Sequence, residues 1–420
     1  MTSEVYAADW VLPVVSPPIR AGAVVVDGDR VAWVGSLDEL PERWQGVDAR
    51  RRRGILTPGL VNAHTHLQYT GFDEVGAGAY DSFEDWSDAF GRVYDVVDPA
   101  SWWPAALAGA REAVASGTTV FAEIVTDDEA RGALGAVGAG GIEYLEAIGQ
   151  FERAWAEGGR ADYLAWLDAE TAFRRGVSPH AAYSLDGSVI RELIEIARKR
   201  GLRLHSHLGE SSVEAELYRH GDRRVLAAYG DLRDEFELVR TGGAGDTTGG
   251  YADSVGLLCE TMHVAHAIYL DRDDRDLLLR RGTRVVLCPR SNAVIGLDEA
   301  PVAAYLREGH DIAVGTDSRA SSPSLDLLAD VRELHRIARS QGYGDADLSR
   351  RLVRAATLGG ARAMGLDAGG YGVLAPGGPA DLALFDVDVN GHDVEEALVL
   401  AGAGSCVLAV CAGAVLHGSA

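Results

Sequence analysis

The chain has 420 residues, which is enough for one large domain or for two to three smaller ones. Its composition, 47% hydrophobic and 24% charged, is typical of a globular protein. Its formal net charge of −24 would repel phosphate backbones and anionic lipids, so binding to nucleic acid or to a membrane surface is not expected.

The two ends of the chain carry strand patterns. The first residues, MTSEVYAADWVLPVV, have no basic segment and no long apolar run, so they do not predict a signal peptide. In the next stretch, IRAGAVVVDGDRVAWVG, an Asp-Gly pair separates two β-branched runs, which is typical of a hairpin. Near the C-terminus, GVLAPGGPADLALFDVD and SCVLAVCAGAVLHG are short apolar runs separated by Gly and Pro. Both ends are therefore predicted to be rich in β-strands.

Short apolar runs alternate with helical patterns between about residues 55 and 365. The runs that we predict as strands are GILTPGLVNAHTH, GTTVFAEIVT, GIEYLEAIGQ, RGVSPHAAYS, LRLHSHLGE, MHVAHAIYL, TRVVLCPRSN and DIAVGTDS. Amphipathic stretches such as GSVIRELIEIARKR and LDRDDRDLLLRRG lie between them. Eight strand–helix units predict an α/β fold, a parallel sheet closed into a (β/α)8 barrel.

Two long segments of this region are interpreted as loops, residues 68–99 after the first strand and residues 211–256 between the fifth and sixth strands. Loops of this length in a compact domain are usually functional or mobile. Both follow the C-terminal ends of strands, where barrel enzymes build their active sites. We therefore consider both as candidates for shaping a substrate site.

The cysteines and the hydropathy indicate a cytoplasmic protein. Four cysteines are present, without the CxxC spacing of many metal and redox sites, and they predict reduced structural thiols: Cys259, Cys288, Cys406 and Cys411. No run of about 18 apolar residues occurs, so no transmembrane helix is predicted.

Polar side chains follow most of the predicted strands at their C-terminal ends, which converge on one point in a barrel. They are His64, His66, His180, His205, His207, Glu210, His266, Ser291, Asn292 and Asp317. Only 12 histidines occur in the whole chain, so this placement indicates a shared metal or catalytic site rather than scattered core or surface histidines.

The spacing of the histidines favours one metal ion. His64 and His66 are two apart on a strand, so both side chains point to the same face. A third imidazole from His207 and a carboxylate oxygen from Asp317 would suit Zn²⁺ or Fe²⁺ and leave a position for water. His205 shares the face of His207, and spacing alone leaves open which of the two binds. We prefer His207 because it lies nearer the strand end.

Two further residues are candidates for proton transfer. Glu210 lies three residues past His207 and could move a proton between water and substrate, or could instead cap the next helix. His266 could orient the attacking hydroxide or polarise the substrate, or could be a structural histidine. Lys199 is the only lysine and lies in a predicted helix, so a carboxylated lysine cannot bridge two metals at a strand end. We expect one metal ion, zinc or iron. A site with two metal ions would need Glu210 as the bridging ligand.

The motifs occur in the order found in the amidohydrolase superfamily, and the chain resembles that family over nearly its whole length. They are PGLVNAHTH, SPHAAYS, HSHLGE, VAHAIYL, CPRSN, GTDS, AATLGGARAMGL and PGGPADLALFD. The resemblance implies a distorted barrel and a small β-sandwich built from both chain ends. We place the barrel at residues 57–367 and the two parts of the sandwich at residues 1–56 and 368–420.

Within that superfamily the chain is similar to the mononuclear aminohydrolases, which include adenosine-type, S-adenosylhomocysteine, cytosine-type and aminodeoxyfutalosine deaminases. The resemblance implies that His64, His66, His207 and Asp317 hold the metal. It also implies that Asp317 takes a proton from the attacking water, that Glu210 protonates a ring nitrogen and that the sixth-strand histidine, His266, helps to hold the hydroxide. Ammonia leaves and the product is a ring carbonyl.

The stretches CPRSN, GTDSRASSPSL and GIEYLEAIG look most like the aminodeoxyfutalosine deaminases of menaquinone biosynthesis, whose substrate is an adenine nucleoside carrying a benzoate. We predict four substrate contacts: Gln68, His180, Asn292 and Ser318. Arg290 and Arg319 are available for the benzoate or have structural roles. The partner is then a small heterocyclic molecule, and barrels of this type often form homodimers.

Two alternatives use the same scaffold. Another hydrolysis, such as dechlorination, or deamination of a triazine, cytosine or S-adenosylhomocysteine, would share every catalytic residue. A non-catalytic metalloprotein would have lost the proton shuttle or a ligand, but Glu210 and Asp317 are both present.

Overall fold

The computed structural model describes residues 3–419, and two sheets organise it. The strands, in chain order, are β1 (Glu4–Val11), β2 (Ile19–Arg20), β3 (Gly22–Asp27), β4 (Arg30–Ser36), β5 (Ala49–Pro58), β6 (Leu60–Thr65), β7 (Thr118–Val125), β8 (Gly140–Ala147), β9 (Arg175–Pro179), β10 (Arg203–Leu208), β11 (Met262–His266), β12 (Arg284–Leu287), β13 (Ala313–Val314), β14 (Leu382–Phe385), β15 (Cys406–Cys411) and β16 (Ala414–Gly418).

Most of the helices lie between the strands of the middle region. They are α1 (Asp73–Gly76), α2 (Phe83–Tyr94), α3 (Trp102–Ala115), α4 (Ala133–Val137), α5 (Glu152–Ala154), α6 (Arg160–Asp168), α7 (Gly187–Arg200), α8 (Ser212–His220), α9 (Glu237–Thr241), α10 (Thr248–Ser254), α11 (Arg272–Arg281), α12 (Pro289–Ile295), α13 (Val302–Glu308), α14 (Leu327–Ser340), α15 (Leu348–Arg354), α16 (Gly360–Ala363) and α17 (Val394–Ala401). None of the helices in residues 3–419 combines the length and the apolar character needed to cross a bilayer.

The predicted (β/α)8 barrel is confirmed. Strands β6 to β13 pair with their chain neighbours in sequence order, and all seven pairings are parallel. Their residues are almost all buried, as expected where helices cover a parallel sheet. All strand C-termini therefore lie at one mouth.

The barrel closes between β6 and β13 without a strand ladder, because β13 has only two residues. The backbone N–H of Asp317 donates to the carbonyl of His64 at 3.0 Å. Asn62 donates its side-chain N–H to the Thr316 hydroxyl at 2.7 Å and accepts the Thr316 backbone N–H at 3.1 Å. These contacts join the first strand of the barrel to the segment that follows the last.

Both chain ends contribute to the second sheet, as predicted. Its order is β16-β15-β14-β5-β1-β3-β4, and β2 pairs with β1. The predicted hairpin is β3–β4, where Asp27 pairs with Arg30 and Gly28 takes a positive φ of 63°. Apolar clusters cover both faces of β1, one around Tyr6 and Ala8 and the other around Val5 and Ala7. The end strands occupy residues 4–58 and 382–418, and the domain limits stay a prediction.

The two amphipathic stretches form helices α7 and α11 as predicted, but the interpretation of residues 68–99 and 211–256 as loops is wrong. The first segment contains α1 and α2, and the second contains α8, a 3₁₀ segment over Arg224–Glu235, α9 and α10. Helix α2 begins where the Ser82 hydroxyl accepts the Asp85 backbone N–H, and it places Phe83, Trp86 and Phe90 on its inner side. The aromatic spacing of i, i+3 and i+7 was the signal for this helix.

The seam of the barrel gives the first prediction. A Cβ on Gly315 would lie 2.7 Å from the His64 Cβ and 3.0 Å from the Cys288 Sγ. We expect Gly315→Ala to lower the free energy of unfolding by about 1–3 kcal/mol, because overpacking forces β13 away from β6. Thermal unfolding measures the change. Gly344→Ala is the matched control, since nothing lies within 4 Å of a Cβ there. Equal melting temperatures for the two variants would contradict the tight seam.

Candidate metal centre and active site

Four predicted metal ligands meet at the mouth of the barrel. His64 lies near the end of β6 and His66 directly follows that strand. His207 lies near the end of β10, and Asp317 follows β13. The Nε2 atoms of His66 and His207 are 3.2 Å apart, and His64 Nε2 is 3.6 Å from Asp317 Oδ1. Ligand atoms of His64, His66 and Asp317 all lie within 4.8 Å of one another. His207 belongs to a second such group, with His64 and His266. The two groups share His64, so the four side chains border one space at the barrel mouth, which is a candidate site for a small cation.

Hydrogen bonds outside this cluster fix how the side chains are turned. His207 donates Nδ1–H to the His180 carbonyl at 2.7 Å, so its Nε2 carries the free lone pair. His64 Nδ1 is 3.0 Å from His205 Nε2, which places His205 in a second layer behind the cluster. Such outer contacts orient metal-binding histidines and set their tautomer.

Asp317 is held from the outer side as well. Its Oδ2 accepts hydrogen bonds from Ser291 at 2.6 Å and Ser321 at 2.8 Å, so its Oδ1 faces the histidines.

The histidines of the cluster are in the form that binds metals. Burial lowers the pKa values of His66 and His207 well below the usual value, so both imidazoles are neutral. His64 Nε2 is buried and has no hydrogen-bond partner among the described residues. Three neutral imidazoles, one of which has a buried nitrogen without a hydrogen-bond partner, and one carboxylate fit a divalent cation.

Glu210 and His266 form a pair beside this cluster, with Glu210 Oε1 3.4 Å from His266 Nε2. Burial raises the pKa of Glu210 well above its usual value, and the Asp317 charge raises it further. Helix α8 takes its cap from the Ser211 hydroxyl, which accepts the Glu214 N–H. The Glu210 carboxyl is therefore not the helix cap, the alternative considered for it, and it lines the cavity described below.

Strained backbone marks the same place. His266, Ala267 and Asp317 have φ values of 70°, 48° and 59°, in the left-handed region that residues with a Cβ seldom adopt. Among the described residues only four other non-glycine positions have a positive φ. Strain of this kind persists where surrounding structure enforces it, and it clusters at functional sites.

A cavity of about 700 Å³ opens above the cluster. Most of the predicted site residues line it: His66, His180, His207, Glu210, His266, Asp317 and Ser318. Aromatic rings form much of the remaining wall: Tyr69, Phe83, Trp86, Phe90, Tyr94, Tyr183 and Tyr229. Several of them come from α2 and from the 3₁₀ segment Arg224–Glu235, so the two helical insertions wall the cavity.

Two predicted substrate contacts lie behind the wall instead. Gln68 is fully buried, donates to the Asp127 carboxylate at 2.7 Å and accepts the Thr126 N–H at 3.0 Å. Asn292 does not line the cavity, and its Oδ1 lies 3.0 Å from His266 Nδ1. Gln68 thus holds the end of β7, and Asn292 orients His266.

The two arginines considered for a benzoate are also engaged elsewhere. Arg290 donates to the buried Asp330 at 2.8 Å, and Arg319 pairs with Asp73. Neither lines the cavity. The arginine that does is Arg92, on α2.

Sequence reasoning missed Glu146, at the end of the third barrel strand. One of its oxygens accepts from the Thr126 hydroxyl at 2.8 Å, and burial raises its pKa to about 8. Its carboxylate and ligand atoms of His66 and His207 lie within 4.8 Å of one another. The strand-end rule that found the other residues could have found this one.

Comparison with known proteins places these residues in a family context. The Amidohydrolase family matches residues 55–415. A 5-methylthioadenosine/S-adenosylhomocysteine deaminase of Pelotomaculum thermopropionicum is 28% identical over 390 residues, covering 87% of this chain and 80% of that protein. An aminodeoxyfutalosine deaminase of Deinococcus radiodurans is 32% identical over 354 residues, covering 82% and 81%. The crystal structure of an adenosine deaminase from Xanthomonas campestris with bound zinc shares the fold, with a TM-score of 0.79 at 22% identity over 99% of this chain and 92% of that one.

The geometry predicts the metal content. We expect about one divalent ion per purified chain, and much less in His207→Asn, because that change removes one of three converging imidazoles. Elemental analysis of the purified proteins measures this. His220→Asn, which alters an exposed imidazole on α8, should keep the wild-type content. Two tightly bound ions per chain would refute the single-ion interpretation.

Proposed function

The chain belongs to the amidohydrolase family, and on that premise we propose that it is a hydrolytic deaminase that removes the ring amino group of an adenosine-like nucleoside. The observation that carries the proposal is the meeting of His64, His66, His207 and Asp317 with the Glu210–His266 pair at one cavity. This set provides a cation site, a proton acceptor and a proton donor within a few ångströms. Hydrolysis of a C–N bond in a cyclic amidine needs all three.

We assign the cation site to His64, His66, His207 and Asp317, with Zn²⁺ as the proposed ion and Fe²⁺ as the alternative. When bound, such an ion lowers the pKa of water so that it can act as a nucleophile near neutral pH. The histidines come from strands whose parallel ladders fix their spacing. The remaining chemistry falls to side chains of the chain itself.

Asp317 is placed to accept the proton that the attacking water loses. Its Oδ2 is held by Ser291 and Ser321, so Oδ1 keeps its orientation during the transfer. Glu210, whose raised pKa favours the protonated carboxyl, is placed to donate its proton to the ring nitrogen beside the attacked carbon. The proton on Asp317 then passes to the amino group and ammonia leaves. The hydroxyl proton of the intermediate restores the Glu210 carboxyl, so the ring carbon keeps the water oxygen as a carbonyl and both acids return to their starting states.

His266 acts beside them as an orienting residue. Its Nδ1 is fixed by Asn292, and its Nε2 faces the Glu210 carboxyl at 3.4 Å. From there it can hold the attacking oxygen in line with the ring carbon. The left-handed backbone at His266 and Asp317 fixes both side chains at the mouth.

Aminodeoxyfutalosine, an adenine nucleoside with a benzoate-bearing substituent, is our proposed substrate. The 32% identity to the Deinococcus radiodurans enzyme supports it, and the long aromatic cavity offers room for more than a purine. 5′-Methylthioadenosine and S-adenosylhomocysteine are the second candidates, supported by the relative from Pelotomaculum thermopropionicum.

Ammonia release from a substrate panel tests the proposal. The panel contains adenosine, 5′-methylthioadenosine, S-adenosylhomocysteine, aminodeoxyfutalosine, cytosine and a chlorinated triazine. We expect release from adenine nucleosides, with the highest kcat/KM for aminodeoxyfutalosine. Turnover of cytosine or the triazine without any adenine nucleoside would contradict the proposal.

The role of Glu210 gives a second test. We expect Glu210→Gln to lower kcat by about 10²- to 10⁴-fold, because the amide cannot donate and recover the proton, while metal content stays unchanged. Steady-state kinetics and elemental analysis are measured on the same preparation. Glu216→Gln, an exposed change on α8, is the control. Full activity in Glu210→Gln would remove the carboxyl from the mechanism.

A further inference from the structure

Arg92 is the only lysine or arginine that lines the active-site cavity in the described part of the chain. It lies near the end of α2 and its side chain is exposed. Within residues 3–419 no carboxylate comes within 4.0 Å of its guanidinium, although most other arginines of this acidic chain have such a partner. Its donors are therefore available to a ligand.

The cavity wall also carries five carboxyl side chains. They are Asp88, Asp95, Glu146, Glu210 and Asp317. An anionic group that enters the cavity away from the metal centre therefore meets carboxyl groups and aromatic rings, and Arg92 is its only guanidinium or ammonium partner among the described residues. Asp88 and Asp95 lie one turn before and after Arg92 on the chain, so the contrast is local.

Helix α2 is anchored, so the position of Arg92 is defined. The Trp86 indole N–H donates to the Ala320 carbonyl at 3.0 Å, which ties α2 to the segment after β13. Phe90 packs against Trp86 at 5.4 Å between ring centroids, and against Tyr69 at 4.9 Å.

We propose that Arg92 binds a carboxylate at the far end of the substrate's 5′ substituent, and this inference rests on the proposed nucleoside deaminase function. Arg92 and the proposed metal ligands His66, His207 and Asp317 line the same cavity, so a purine bound at those ligands would direct its 5′ substituent along the wall that carries Arg92. A guanidinium presents a planar fork that matches a carboxylate. An amino-acid carboxylate, as in S-adenosylhomocysteine, and a benzoate, as in aminodeoxyfutalosine, both supply this chemistry.

Kinetics on three adenine nucleosides with the metal-loaded enzyme test the proposal. We expect Arg92→Gln to lower kcat/KM by about tenfold for the substrate that Arg92 serves, mainly through KM, because a charge-assisted hydrogen bond is lost and acidic neighbours remain. The values for 5′-methylthioadenosine, which has no carboxylate, should change by less than about threefold. Loss for aminodeoxyfutalosine alone identifies the benzoate, and loss for S-adenosylhomocysteine alone identifies the amino acid.

Two controls make the result specific. Arg92→Lys should recover part of the loss, because it restores the positive charge without the fork. Arg111→Gln removes an exposed arginine of α3 and should leave all three substrates unchanged.

Three outcomes would overturn the proposal. One is an equal loss for all three substrates, and another is no loss for either carboxylate when the wild type deaminates them. The third is a wild type that deaminates only 5′-methylthioadenosine, since the nucleoside deaminase function would then stand without a carboxylate site. A wild type that releases ammonia from no nucleoside would remove the proposed function and this inference together.

Discussion

The hydrogen bond from the Asp317 backbone N–H to the His64 carbonyl is the contact on which the site depends. It closes the barrel at a seam where β13 is too short to pair with β6. The same contact brings the two side chains to 3.6 Å, so closure of the barrel and assembly of the proposed metal centre are one event. The Asn62 clamp on Thr316 and the missing Cβ at Gly315 allow the approach.

Burial of so many polar groups costs free energy, and the protonation states of these groups limit that cost. Histidines 64, 66, 205, 207 and 266 and the carboxyls of Glu146, Glu210 and Asp317 all lie in or beside one cluster. Neutral imidazoles and protonated glutamates avoid most of the penalty for burying charge. Among these carboxyls, the pKa of Asp317 is held well below its usual value: burial raises it, but the contact with His64 and the electrostatic interaction with the surrounding imidazoles outweigh that effect. A single anionic carboxylate among neutral nitrogens is what a divalent ion complements.

The sequence predicts the barrel and the inner cluster well because both follow from one rule. Parallel strands that close on themselves end at a common mouth, so residues such as His64, His207 and Asp317 can be placed without coordinates. The direction of a side chain just beyond a strand end does not follow from this rule. Gln68 lies in a 3₁₀ turn that directs it outward to Thr126 and Asp127, and Asn292 lies in the first turns of α12 behind His266. Neither orientation follows from a period of two or 3.6 residues.

The cavity wall was least predictable for a related reason. Segments 68–99 and 211–256 lie between predicted strands and are interpreted from the sequence as loops, yet tertiary packing makes much of each helical. Helix α2 shows this: Phe83, Trp86 and Phe90 pack against one another. Phe90 also packs against Tyr69, and the Trp86 indole N–H donates to the Ala320 carbonyl, so contacts with the rest of the chain stabilise the helix.

The proposed catalytic groups and the wall of the cavity thus occupy different parts of the molecule. The proposed catalytic groups lie at strand ends, where parallel ladders, the closed seam and second-layer hydrogen bonds hold each atom. The cavity wall above them is held by a few contacts, such as the hydrogen bond from the Trp86 indole N–H to the Ala320 carbonyl. Changes in α2 can therefore alter which substituent fits without moving a metal ligand. Variation in such an insertion, with the strand-end residues unchanged, would therefore retain the reaction and change the substrate.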